Sequence, residues 1–367
     1  MRLWDGSSAW AVTRYEDVRA VLGDRRISAD GLNPALPALT PARRMTPDEV
    51  VFPRMDDPRH GEHRRMLARD FTVKQAEAMR PGIQEIVDDT LDEMIGKGRP
   101  ADLIADFALP VPSTVIALLL GVPPEDRAFF HGKSQTILDL TAPPEQVRDA
   151  NVELFGYMLE LVDRKEREPG DDLITQLVTE RVATGELTRR QVGYIGRVLL
   201  TAGHETTSNM IGLGALTLLQ HPDQLTKVRD AEDPRVLVTA VEELLRYHTI
   251  AENAVVRVAI EDATVGGHLV RAGEGLLLCL PVANRDSSFL SDEPDSFNVD
   301  NRSRGHVAFG YGPHQCLGQN LARVELQIAL GTLLRRLPDL RLAVPFDEIP
   351  FNLQMVTFGA ARLPVAW

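Results

Sequence analysis

The chain has 367 residues, 44% of them apolar and 25% charged, which is ordinary for a water-soluble globular protein with a sizeable core. A net charge of −13 excludes nucleic acid as a general partner, because phosphate binding runs on Lys and Arg, although a local basic face remains compatible with it. Two cysteines, Cys279 and Cys316, are too few for a disulfide framework. MRLWDGSSAW lacks the apolar segment of a secretory signal, so the expected compartment is the cytoplasm.

In chain order, AWAVTRYEDVRAVLGD predicts a short strand followed by a helix. The Pro- and Ala-rich stretch around 32–50 predicts a loop. From about Asp57 to Leu219 the pattern is helical, broken at GKGRP, LGVPPED, TAPPE and EPGDD. Residues 193–220 are long and apolar enough to raise a membrane span. However, Arg197, His204, Glu205 and Asn209 fall in the middle, where lipid would penalise each, so a buried core helix is expected. EDPRVLVTAVEELLRYH predicts another helix. AVVRVAI, ATVGGHLV and GLLLCLPV read as β segments, the last placing Cys279 as a small buried hydrophobe. The chain closes with a glycine-rich loop, an amphipathic helix and a β-like tail. The expected fold class is mostly α (α+β), a helical body with small β-sheets that folds as one unit.

The glycine-rich loop is AFGYGPHQCLG, residues 308–318. It places Cys316 at the entrance of the following helix, where unpaired N–H groups favour an anion and lower a thiol's pKa. Zinc would require further Cys or His at short spacing, and a cysteine protease would require a His base that sequence cannot locate. In the long helix, HETTS is not a metalloprotease box, because Ser208 stands where the second His would be. Leu199, Ala202, Gly203 and Thr206 share a helix face. Gly203 weakens the helix there, and the Thr206 hydroxyl can compete for a backbone carbonyl. Periodicity assigns Glu243 and Arg246 to the surface, off an apolar stripe of Leu237, Ala240, Val241, Leu244 and Leu245.

The run Phe309, Gly312, His314, Cys316 and Gly318, followed by Leu321, Ala322 and Arg323, resembles the haem-binding loop of the cytochrome P450 family. AGHETT (202–207) resembles that family's oxygen-activation motif, and the resemblance extends over nearly the whole chain, closest to soluble actinobacterial-type members. It implies a cytochrome P450 fold as a single domain over 1–367. It also implies a monooxygenase carrying haem b (iron protoporphyrin IX), with Cys316 as the metal ligand donating electron density to iron. On the same resemblance Glu205 and Thr206 are catalytic, handling protons and dioxygen. His60, Arg64, Arg257 and His314 would bind the haem propionates, and Ala202, Gly203, Phe309, Gly310 and Gly318 would complete the cofactor site. Glu243 and Arg246 would be buried behind the haem, in a network usually completed by a second Arg. Here that slot holds Asn301, with Arg302 one place on.

The implied reaction is hydroxylation or epoxidation of a mid-sized hydrophobic natural product (macrolide, terpenoid or sterol-like). Electrons would come from ferredoxin and ferredoxin reductase, with a monomeric enzyme and no membrane partner. A peroxide-dependent haem enzyme and a non-catalytic haem sensor or carrier are the alternatives. Substrate contacts are expected from the 32–50 loop, the helix face before Ala202, TIAENA (249–254) with Glu252 and Asn253, and Met355–Phe358. Relatives carry a further leader before the first strand, so an N-terminally shortened form is expected.

Overall fold

A computed structural model describes residues 1–39, 45–251, 255–290 and 293–367. Its body is organised around one helix, Arg189–Gln220, hereafter the central helix. A capping box starts it: Gln191 N–H donates to the Thr188 hydroxyl, and Thr188 N–H donates to the Gln191 side chain at 2.8 Å. Its first half, Val192 to Leu200, packs into one apolar core with helices Pro110–Leu120 and Pro144–Arg167. Its last part, Met210 to Leu218, packs into a second core with helices Arg80–Lys97, Arg235–His248 and Gln319–Arg336. The polar residues between them fall where neither core continues. Among the described residues no helix is long and apolar enough to cross a membrane.

The predicted breaks are where helices end. Arg80–Lys97 stops at Gly98, and Pro110–Leu120 stops at Gly121, whose φ of +70° a side chain would strain. A four-stranded sheet lies to one side, in the order Ala9–Val12, Gly275–Leu278, Val256–Ala259, Ile27–Ser28. The first pair is parallel and the others antiparallel. ATVGGHLV forms a hairpin, Ala263–Val265 with His268–Val270. The tail strand Pro364–Ala366 pairs with Ala101–Asp102 and Arg341–Leu342. Cys279 departs from expectation: the strand ends at Leu278, and Cys279 instead caps the short helix Leu280–Ala283, only half-buried.

Glu243 and Arg246 are fully buried, against the helical periodicity and in line with the family resemblance. The apolar stripe has no wet face opposite it, because Ala240 to Arg246 is buried on every face. The guanidinium grips Glu243 with two bonds, 2.7 and 2.8 Å, and donates to the carbonyls of Asn284, Pro294 and Ser296. Asn301 completes the network: its Nδ2 donates to Glu243 Oε1 at 2.9 Å, joined by Asn298 N–H and the Ser303 hydroxyl. Arg302 is exposed. Asn301→Leu should therefore destabilise the protein by about 1.5–3 kcal/mol, the worth of a hydrogen bond to a charged group. Arg302→Ala should stay within about 0.5 kcal/mol of the parent. Urea denaturation of both variants checks this, and the reverse ranking would assign the slot to Arg302.

Candidate active site

The cysteine loop is shaped by two backbone constraints. Gly310 and Gly312 have φ of +70° and +71°, and a Cβ on Gly312 would meet the Leu22 carbonyl at 2.8 Å. Cys316 N–H donates to Phe309 O at 2.8 Å and closes the loop. Gly318 caps helix Gln319–Arg336, and the N–H groups of Gly318 and Gln319 point toward the thiol.

The sulfur opens onto an interior cavity of about 340 Å3 between this loop and the central helix. Leu199, Ala202, Gly203 and Thr206 line its other side, so the predicted helix face is the cavity wall. A second space of about 230 Å3 shares Thr206, Arg257, Phe309 and Cys316 with it and adds Gly310. The Thr206 hydroxyl donates to the Ala202 carbonyl at 2.7 Å, while the helix runs on unbroken. A Cβ on Gly203 would lie 2.9 Å from Ile116, so this glycine also seats helix Pro110–Leu120.

The expected lowering of the Cys316 pKa does not survive. Cys316 is exposed toward the open cavity, but the protein packed around it desolvates the sulfur and pushes the thiol up. The Gly318 and Gln319 N–H groups with Arg64 and Arg323 only partly offset this. A bare thiolate is unfavourable there, whereas a metal ion bound to the sulfur would remove its proton outright.

His60, Arg64, Arg257 and His314 converge on the same cavity. The His60 and His314 rings lie 4.0 Å apart, and His60 Nε2 and His314 Nδ1 are buried without a hydrogen-bond partner. Arg64 donates only to Gln315 O and Arg257 only to Val256 O among the bonds of the described residues. Burial pushes Arg257 down to about 10 and His314 down to about 3, each lowered further by neighbouring cations. Such a cluster calls for an anionic guest. A flat iron macrocycle with two carboxylates satisfies both the cations and the sulfur.

Glu205 does not join Thr206 in the cavity. It lines neither space, and its carboxylate is turned toward His131 and His204. Burial pushes it up to about 7. Sequence reasoning missed Phe52, Pro53 and Arg54, which line the first cavity, and Arg54 is a further cation whose pKa burial lowers. Their only signal was adjacency to the His60 segment. Thr249, Ile250 and Ala251 line the second space, while Glu252, Asn253 and Ala254 lie outside the described residues. Two other expectations fail. The described part of loop 32–50 (40–44 lie outside it) reaches neither space. Met355–Phe358 instead hydrogen-bonds to Leu138 and Ile250.

The family model for cytochrome P450 matches residues 1–350. This chain belongs to the cytochrome P450 family. Cytochrome P450-SU2 of Streptomyces griseolus is 53% identical over 366 residues, covering 100% of this chain and 89% of that protein. Pentalenic acid synthase of Streptomyces avermitilis is 48% identical, covering 100% and 90%. The crystal structure of mycinamicin VIII C21 methyl hydroxylase from Micromonospora griseorubida, bound to mycinamicin VIII, superposes with a TM-score of 0.94. It is 41% identical and covers 100% of this chain and 92% of that one. The fold is that of actinobacterial P450s, and the chain is a P450 monooxygenase with the family's haem-thiolate chemistry.

If Arg257 holds a haem carboxylate, Arg257→Leu should cost about 2 kcal/mol of haem binding. Haem transfer to apomyoglobin should then run roughly thirtyfold faster. An unchanged transfer rate would remove Arg257 from the site.

Proposed function

We propose that this P450 hydroxylates or epoxidises a mid-sized hydrophobic natural product of macrolide, terpenoid or sterol-like class. The carrying observation is the cavity that places Cys316 opposite Thr206 with apolar walls at Phe52, Ile116, Val198 and Leu199. Relatives named for pentalenic acid, vitamin D3 and mycinamicin VIII support the substrate class. Haem b, held by Cys316 and by His60, Arg64, Arg257 and His314, supplies the dioxygen activation and carbon oxidation when bound.

The chain's own groups do the rest. The N–H groups of Gly318 and Gln319 hold negative charge on Cys316 sulfur. Ala202 and Gly203 keep the central helix low over the cavity, and Phe309, Gly310 and Gly318 shape its floor. Thr206, its hydrogen committed to Ala202 O, presents oxygen lone pairs that orient water in the cavity. Glu205 holds a proton near neutrality beside His131 and His204, and delivers it toward Thr206 by swinging its side chain round to the cavity.

Electrons come from ferredoxin and its reductase. Behind the cysteine loop, Arg19, Arg80, Arg304 and Arg323 surround a depression of about 560 Å3 that includes the Gly310 and Gln315 positions. Arg80 is paired with Glu77 and Arg323 with Glu242 in its wall, so Arg19 and Arg304 carry its attraction for an anion. Despite the net charge of −13, this face suits an acidic docking partner. The enzyme works as a cytoplasmic monomer.

The first test is reduction with dithionite under carbon monoxide. A strongly red-shifted Soret band is expected, and it should disappear in Cys316→Ala. A band at the histidine-ligated position would sink the assignment. Thr206→Ala should retain NADH consumption while product falls and peroxide rises. Unchanged product would remove Thr206 from proton handling. Because the Glu205 carboxyl sits near 7, product formed per NADH should decline as pH rises through about 7. In Glu205→Gln that inflection should be absent, as read from coupled turnover between pH 6 and 8.5.

A further inference from the structure

On the flank of the central helix away from the cysteine loop, three side chains face one another. His131 comes from helix Arg127–Leu138, and His204 and Glu205 come from the central helix. Glu205 Oε2 lies 3.6 Å from His204 Nε2 and 3.8 Å from His131 Nδ1. These separations are too long for hydrogen bonds, and all three atoms are buried with no partner. His204 is 0% exposed and Glu205 5%. The His204 Nδ1–H donates to Leu200 O at 2.7 Å, so Nε2 is left as a bare lone pair aimed at the carboxylate. Such an outer hydrogen bond is what orients a histidine toward a metal.

We propose that His131, His204 and Glu205 form a binding site for a divalent transition-metal cation of the Zn2+ class. Tetrahedral zinc with ligands at about 2.0–2.2 Å places neighbouring ligand atoms about 3.3–3.5 Å apart. The observed gaps are a few tenths of an ångström wider, and the third pair closes within 4.8 Å. Two neutral imidazoles and one carboxylate are an established zinc donor set, with water in the fourth position. The HETTS segment lacks the second helical histidine of a metalloprotease box, and here a different helix provides one. Binding displaces the Glu205 proton and fixes the carboxylate to the metal. Resting on the reading of Glu205 as a proton relay, occupancy uncouples the enzyme: NADH is consumed while less product forms.

Calorimetric titration of the haem-loaded protein with Zn2+, followed by zinc K-edge absorption of the one-to-one sample, tests the site. One site per chain is expected, with two imidazole nitrogens and one carboxylate oxygen around the metal. His131→Ala, which removes a direct ligand, should weaken binding by at least the roughly tenfold to hundredfold that loss of an outer-shell partner costs, with the carbon monoxide spectrum unchanged. His131→Gln, closer in volume, gives the same reading if the alanine variant loses its fold. Equal affinity in parent and variant, or fewer than two imidazoles at the metal, overturns the proposal. The expected metal shell with unaltered coupling leaves the site standing and removes Glu205 from the proton path.

Discussion

One helix cannot be apolar all along its length and also deliver polar groups to a buried site. The central helix resolves this conflict by belonging to two cores. Val192 to Leu200 anchors it in one and Met210 to Leu218 in the other, and the residues between carry the polar cargo. Where the two cores part, the cysteine loop approaches from one side and helix Arg127–Leu138 from the other. The cavity is therefore the seam between two packed halves, and either core alone would leave its polar stretch in water.

Charge is distributed around that seam with a consistent logic. Arg64 and Arg257, which among the described residues donate only to backbone carbonyls, line the cavity, where a dianionic guest completes them. The acid is held outside it, in a pocket whose burial keeps the carboxyl protonated near neutrality. Deeper still, the Glu243–Arg246 pair is satisfied entirely by protein. Breaking a buried pair of this kind is expensive because one charge is left stranded, so it serves as a fixed reference for the segment leading into Cys316.

Much of this was legible in the sequence, for identifiable reasons. The loop from Phe309 to Gly318 could be read because its glycines and its cysteine are each dictated by local geometry. The break points at Gly98 and Gly121 and the face formed by Leu199, Ala202, Gly203 and Thr206 follow from backbone rules and helical period. What could not be read depends on neighbours distant in sequence. Periodicity misassigned Glu243 and Arg246 because it assumes one wet face, and this helix has none over Ala240 to Arg246. The Cys316 pKa went the other way because helix-end N–H groups are local while desolvation comes from the whole cavity. The direction of Glu205, and the company it keeps with His131, required the packing of a second helix.

Arg246 also ties together the chain segments that lead toward the cysteine loop, alongside Asn284, whose side chain bonds Thr249 and the Val307 N–H. Its guanidinium holds carbonyls at Asn284, Pro294 and Ser296, while its partner carboxylate holds Asn298, Asn301 and Ser303. These anchors make the approach to the cysteine loop a single cooperative unit for local unfolding. Amide protons there should exchange together, through one rare opening, instead of fraying residue by residue. The thiol is then positioned by an all-or-none event before any guest arrives.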